Sequence, residues 1–386
     1  MTQELLYDPL EPATLEDPYP LYAEMRDKAP VLWHPQMKSW ILTRYRDCRN
    51  VLRDHDLFAR DRRRVGEEIP EFRQSLQSLD PPEQGPLRSL LMNSLHSRDL
   101  DGIGVGARQQ IAAIFERLAE REVFDFMSEI AAPIALTITA DLIGVQEPDL
   151  QAYVAISEGI AQRMDAGLRP EAAALGDAAR RELNQLVDRW FADVERPGLL
   201  NDVRRSAPRV DVPDYYIRNT TGVMFNASYG TVFATAGNVM STFLHRPGAL
   251  EQLRDERLLT TGVDELIRFD GPAQGTTRVA TRRTMIGDTV IEPRQLVLTL
   301  MAAANRDPEQ FATPDELVLD RSPNQHLGFG WGPHSCVGAL FGRIAIRELI
   351  VGLHAAPTTL RLAGEPTRRR TATVRCIDVL PVTFRN

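Results

Sequence analysis

Apolar positions along this chain recur mostly with the 3.6-residue period of helices. The spacing predicts helices over residues 45–53, 86–95, 103–119, 127–142 and 150–164, and a long one, rich in Ala, Leu, Glu and Arg, over 170–194. Residues 214–244 then run on without proline until His245-Arg246-Pro247, a proline placed to end a helix. A helix of that length crosses the whole molecule. A shorter one is predicted over 261–269. Strand-like stretches are few and short: 37–43, a series rich in Thr, Val and Ile over 274–300, and an alternating run over 373–379. Between the early helices, residues 59–80 carry Arg62-Arg63-Arg64, a glycine and a proline and predict a long loop. No repeat or low-complexity segment interrupts the pattern.

The longest apolar stretch, 130–145, is too short to span a bilayer and contains Asp141. The first residues, Met-Thr-Gln-Glu, lack the basic-then-apolar pattern of a signal segment. A chain that is 43% hydrophobic and 25% charged can bury a sizeable core, and a net charge of -8 argues against nucleic acid as a partner. Three cysteines, far apart, make no disulfide framework and fit a reducing cytoplasm. Cys48 and Cys376 sit in periodic runs and read as packing residues.

The third cysteine lies in His326-Leu-Gly-Phe329-Gly330-Trp-Gly332-Pro-His334-Ser-Cys336-Val-Gly338. Gly330 and Gly332 suit a tight loop and let backbone approach a flat cofactor. The run 337–349 reads as a helix, which places Cys336 at its N-terminus, where the dipole favours thiolate. Such a thiolate is a nucleophile, a structural thiol or an axial ligand to haem iron. A tetrathiolate metal site is excluded, because no other cysteine is near.

The whole constellation resembles the haem-binding signature of the cytochrome P-450 superfamily, the haem-thiolate monooxygenases. Phe329, both loop glycines, His334, Cys336 and Gly338 all fall at the family's spacing. The resemblance spans nearly the whole chain. It implies one domain over 1–386, mainly α with a small β lobe whose strands lie near 30–45, 274–300 and 372–384. Haem b would lie between the long central helix and the cysteine loop, with Cys336 on the iron.

Further residues follow from the same resemblance. Glu265-Leu-Ile-Arg268 matches the Glu-x-x-Arg motif that buttresses the haem core, with Arg321 as the downstream arginine. Gln84, Arg88, Arg278 and His334 are the expected propionate partners. Counting back from Pro247, Ala227-Ser228-Tyr229-Gly230-Thr231 aligns with the oxygen-activating segment, so Thr231, Gly230 and Ser228 are the catalytic candidates. The acid that usually precedes the threonine is Gly230 here, leaving space for a kink, a water or substrate bulk. Asn226, Ala227, Tyr229, Ala273 and Gln274 are expected to line the substrate pocket.

The implied activity is oxidation of a small organic molecule, in natural-product tailoring, by dioxygen and two electrons. The chain shows neither a dinucleotide fingerprint nor a fused reductase, so electrons are expected from a ferredoxin and its reductase, docking near Arg343 and Arg347. Arg62-Arg63-Arg64 reads as a solvated face, or else as a clamp for a substrate carboxylate or a carrier-protein surface. Because of Gly230, two other classes stay open: atypical oxidative cyclisation or coupling, and reduction or peroxide-type chemistry. A non-catalytic haem sensor is a further alternative. Neither nucleic acid nor a membrane is an expected partner, and the expected compartment is the cytoplasm.

Overall fold

A computed structural model describes residues 7–192, 196–209, 212–356 and 359–384. In chain order its helices begin with α1 Pro12–Glu16, α2 Tyr19–Lys28, α3 Tyr45–Arg53, α4 Gln84–His96, α5 Leu100–Leu118, α6 Ala132–Ile143 and α7 Leu150–Met164. They continue with α8 Ala172–Ala192, α9 Leu199–Ser206, α10 Asp214–His245, α11 Ala249–Gln252, α12 Glu256–Asp270, α13 Met301–Ala304 and α14 Ala339–His354. The first strands are β1 Val31–His34, β2 Ser39–Leu42, β3 Phe58–Ala59, β4 Phe124–Asp125, β5 Thr276–Ala280 and β6 Thr284–Ile286. The rest are β7 Thr289–Ile291, β8 Leu296–Thr299, β9 Arg361–Leu362, β10 Thr367–Arg368, β11 Ile377–Val379 and β12 Pro381–Thr383.

Local chemistry explains several boundaries. The Asp149 carboxylate accepts the Ala152 N–H at 2.9 Å and starts α7, and Asp99 does the same for Gly102 in α5. Residues 127–142 do not form one regular helix. A π-helical turn, Met127–Ala131, precedes α6, where Pro133 cannot supply a backbone donor. The loop predicted over 59–80 contains the strand end Ala59 and three 3-10 turns, Arg62–Val65, Glu71–Arg73 and Leu76–Ser78. The long helix predicted to 194 is seen to Ala192, and Val194 lies outside the described residues.

The main sheet has the order β1-β2-β8-β5-β3, with β2 and β8 parallel and the other pairs antiparallel. Smaller sheets pair β6 with β7, β10 with β11, and β12 with both β4 and β9. At the centre runs α10, about 48 Å long at 1.5 Å per residue. It packs against α6, α8, α12 and α14, so the main apolar core is assembled around it. One close approach is backbone on backbone. Gly144 ends α6 at φ +79, and a Cβ there would collide with Gly198 Cα, just ahead of α9.

Candidate active site

The cysteine loop folds back on itself through backbone hydrogen bonds. The Cys336 N–H donates to Phe329 O at 2.8 Å, and the Gly330 N–H to Leu327 O at 2.8 Å. Gly330 and Gly332 take φ +69 and +70. A Cβ on Gly332 would also sit 2.7 Å from Leu52 O, so this turn excludes any side chain. Helix α14 starts only at Ala339, with Gly338 as its N-cap. That weakens the expected thiolate bias. Cys336 is exposed in area, yet protein crowds its sulfur, and burial pushes the thiol up; Gly338 N–H, Arg88 and Arg343 pull the other way. No group of three or more His, Cys, Asp or Glu converges as a metal cluster among the described residues. Cys336 therefore stands as a single candidate ligand.

Beside the loop, side chains from four remote segments meet. Arg88 Nη2 donates to both the carbonyl and the hydroxyl of Ser335, each at 3.0 Å. Gln84 Nε2 donates to His334 Nδ1 at 3.0 Å, and His334 Nε2 to Asp80 Oδ1 at 2.8 Å. A carboxylate only accepts, so His334 is the Nε2–H tautomer. Both its nitrogens are occupied by protein. His334 thus ties the loop to Asp80 and to α4. Burial, followed by the nearby Arg278 and Arg60, holds its pKa below the ordinary value despite Asp80. For Asp80 itself burial works upward, but His334 and the N–H groups of Asp61 and Arg60 more than offset it and hold the carboxyl at about 2.

Arg278 is buried and its Nη1 reaches only Thr276 Oγ1 and Thr277 O; Arg60 also contacts Thr276 Oγ1. Burial, then repulsion from Arg60, brings Arg278 down to about 9. Arg60, Arg88 and Arg278 form no ion pair among the described residues, and the one carboxylate in the group, Asp80, is already shared by His334 and Arg64. Three guanidiniums without an ion pair, gathered around the cysteine loop with one carboxylate among them, fit a planar cofactor carrying two carboxylates, which is the chemistry of haem b. Sequence reasoning missed Arg60 and Asp80. Their local pattern is that of an ordinary loop, and His334, which marks the site, is 254 residues from Asp80.

The middle of α10 carries the second feature. On a helix buried nearly all round, Ala227 and Thr231 are exposed one turn apart. Thr231 Oγ1 donates to Ala227 O at 2.7 Å. The helix continues unbroken through Gly230. A Cβ on Gly230 would meet only Ser157 Oγ, at an ordinary 3.7 Å. The neighbours point elsewhere, contrary to the pocket expected for them. Ser228 receives a hydrogen bond from Thr139 of α6 at 3.2 Å, and Asn226 one from the Tyr153 hydroxyl of α7 at 3.3 Å. Tyr229 is buried, its ring 5.0 Å from Tyr153 and stacked on Phe233. Successive helical residues turn by about 100°, so one groove takes only residues three or four apart. Gln274 is likewise committed, accepting from the Tyr22 hydroxyl at 3.0 Å and donating to Gly271 O. Ala273 is half-buried and bridges to Val374.

Glu265, Arg268 and Arg321 come together. Arg268 and Glu265 are fully buried and bidentate at 2.8 Å, and Arg321 Nε reaches Glu265 at 3.0 Å. The remaining Arg268 donors go to the carbonyls of Asn305, Pro314 and Glu316 in the segment leading to the cysteine loop. The surface arginines are less free than expected. Arg62 pairs with Glu67, Arg63 with Asp61 and Glu83, and Arg64 with Asp80, so none is left as a clamp. Arg343 pairs with Asp264 at 2.8 Å and stacks on Phe329, while Arg347 bridges Glu256 and Glu348. Much of their positive charge is therefore offset locally.

Comparison with known proteins agrees with this geometry. The family model described as Cytochrome P450 matches residues 198–353. Cytochrome P450 107B1 of Saccharopolyspora erythraea is 27% identical over 394 residues, covering 96% of both chains. The crystal structure of CalO2 superposes with a TM-score of 0.88 at 26% identity over 99% of each chain. Epothilone D-bound cytochrome P450epoK shares the fold, with a TM-score of 0.89 at 23% identity over 99% of each. Thiol loop, arginine group and exposed helix stripe thus sit on a shared scaffold, and the chain belongs to the cytochrome P450 superfamily of haem b oxidoreductases.

Proposed function

We propose that this enzyme oxidises a small organic molecule in natural-product tailoring, using dioxygen and two electrons delivered by a ferredoxin and its reductase. The observation that carries the reading is the exposed Ala227–Thr231 stripe in the middle of an otherwise buried helix that packs on α14 behind the cysteine loop. Cys336 would ligate the haem iron. Arg60, Arg88 and Arg278 would hold the two propionates, and the Asp80–His334–Gln84 tie would keep the loop at its distance. The haem, when bound, supplies oxidising power that the side chains themselves lack. The chain's own task is to place the substrate and to govern protons.

At Thr231 the hydroxyl proton lies on Ala227 O in this state, so its lone pairs face the groove as acceptors. A proton passed towards the groove must come from Thr231 after rotation, from water or from the substrate. Ala227 has only a methyl group and sets the floor against which the substrate rests. Three free cysteines, Cys48, Cys336 and Cys376, accord with a cytoplasmic setting.

A second reading rests on Gly230. Without an acid there, and with only the Ser157 hydroxyl beside that position, a substrate radical could be captured by the substrate's own second group, giving ring closure or coupling. Turnover with ferredoxin, reductase and NADPH under labelled dioxygen tests both. One labelled oxygen in an alcohol product supports hydroxylation; a coupled product without label supports the second reading. NADPH-dependent turnover by the chain alone would refute the two-component scheme.

A further inference from the structure

One half-buried cation, Arg180 on α8, has no ion-pair partner among the described residues, and its Nε is buried without a protein acceptor. Its Nη2 donates to Asn219 O of α10 at 3.2 Å. Asp177, one turn away on the same helix, is taken by Arg163 at 3.1 Å and by Arg73 at 3.9 Å. Burial, then the like charge of Arg73, lowers Arg180 to about 10, so it stays charged at neutral pH. One turn further along α8, Asn184 Oδ1 is also buried without a donor, while its amide nitrogen is held by Phe72 O at 3.0 Å. Asn219 cannot help, because its amide is engaged by the carbonyls of Glu71 and Gln74.

A guanidinium with a buried, unpartnered Nε and no ion pair is costly to keep. Its position gives a reason for keeping it. The anchor at Asn219 lies eight residues before Ala227 on α10, about 12 Å along the axis. Between them Val223 and Met224 offer a half-buried apolar surface. We infer that Arg180 receives a carboxylate of the substrate, so that the substrate is an organic acid whose apolar body spans about 12 Å between that acid and the carbon presented at Ala227–Thr231. Asn184 Oδ1 would accept from a hydroxyl or amide carried near the acid. The inference rests on the proposal above that oxidation takes place over the Ala227–Thr231 stripe. Arg180 is a specificity residue here, since it touches neither the cofactor nor the reacting carbon.

The test uses the haem-loaded protein and dodecanoic acid, whose chain spans the required distance at about 1.2 Å per bond, with methyl dodecanoate as the uncharged control. Calorimetric titration should show the acid binding at least about tenfold more tightly than the ester, the range expected for a charge-assisted hydrogen bond. Arg180→Met should weaken the acid roughly ten- to hundredfold and leave the ester unchanged, with Arg180→Lys in between. Ligand-free Arg180→Met should melt no lower than the parent, since it removes a guanidinium with no ion pair. Equal binding of acid and ester, unchanged acid affinity in Arg180→Met, or a destabilised variant that loses both ligands equally would each overturn the inference. Binding and melting are read without turnover. An acid that binds through Arg180 but is not oxidised when electrons are supplied would therefore refute the proposed site of oxidation and leave the recognition standing.

Discussion

Replacing Gly230 separates what the helix needs from what the reaction needs. Glycine inside a helix costs about 1 kcal/mol relative to alanine, and Gly230 lies in mid-helix in α10. The added methyl group meets only Ser157 Oγ at 3.7 Å, so sterics take nothing back. Gly230→Ala should therefore stabilise the haem-loaded protein by roughly 0.5–1 kcal/mol, about 1 °C in melting temperature for a chain of this size. Gly352 of α14 is the control: the same propensity gain is opposed by Ile111, whose Cδ1 and Cβ would lie 2.6 and 3.2 Å from the new methyl, and Gly352→Ala should destabilise. Gly230→Asp then places a carboxyl beside Ser157, one residue before Thr231. A positioned acid contributes about 10²–10⁴-fold to a proton-transfer step, so where proton delivery limits turnover the variant should send fewer electrons to peroxide and more to product. Thermal melts and paired measurements of NADPH consumed, peroxide and product decide this. A lower melting temperature for Gly230→Ala would show that a methyl group does not fit beside Ser157. A stable Gly230→Asp with unchanged peroxide would show that protons do not pass that position.

Other outcomes follow from the same geometry. Cys336→Ala should abolish the thiolate-type spectrum of the reduced, carbon monoxide-bound protein; a surviving spectrum would move the ligand elsewhere. Arg88→Met and Arg278→Met should each speed haem loss to an acceptor globin, since each removes one of three charges facing the site. Asp80 is held at about 2, below its unfolded value near 4, so it contributes stability above about pH 4 that is lost as pH falls towards 2. Asp80→Asn should flatten that acid limb, measured as denaturation midpoint against pH. Glu265→Ala strands Arg268 and Arg321 in the interior and should cost about 3–5 kcal/mol in chemical denaturation; a loss below 1 kcal/mol would mean the pair is dispensable.

Legibility of the sequence followed the range of the interaction. Helices α3 and α7 are where the periodic pattern puts them, because their apolar stripes and, for α7, the capping Asp149 are local signals. The Glu265–Arg268 pair is equally local, three residues apart on one face. The cysteine loop was readable because glycines at Gly330 and Gly332 are forced by positive φ and by the Leu52 carbonyl. Direction around α10 was not readable from the motif, which fixes height along the axis but not azimuth. Asn226, Ser228 and Tyr229 share the height of Ala227 and Thr231, yet face α7 and α6. A helical wheel could have separated them. No local pattern marks Asp80 or Arg60, which matter through contacts with residues about 200 or more positions away. The same holds for Arg180, whose meaning comes from the carboxylate missing beside it.

The contact of Gly144 with Gly198 has a consequence for how this scaffold can change. Each glycine occupies the space a side chain on the other would need, and Gly144 is also held at φ +79. Substituting both at once brings no relief, as compensating pairs do in a side-chain core, because backbone faces backbone. The junction between α6 and α9 therefore works as a rivet with no tolerance. The helices α7 and α8 lie in the chain between its two halves. Substitutions on their inner faces leave that fastening in place, so libraries aimed at specificity should vary those faces and leave the two glycines untouched.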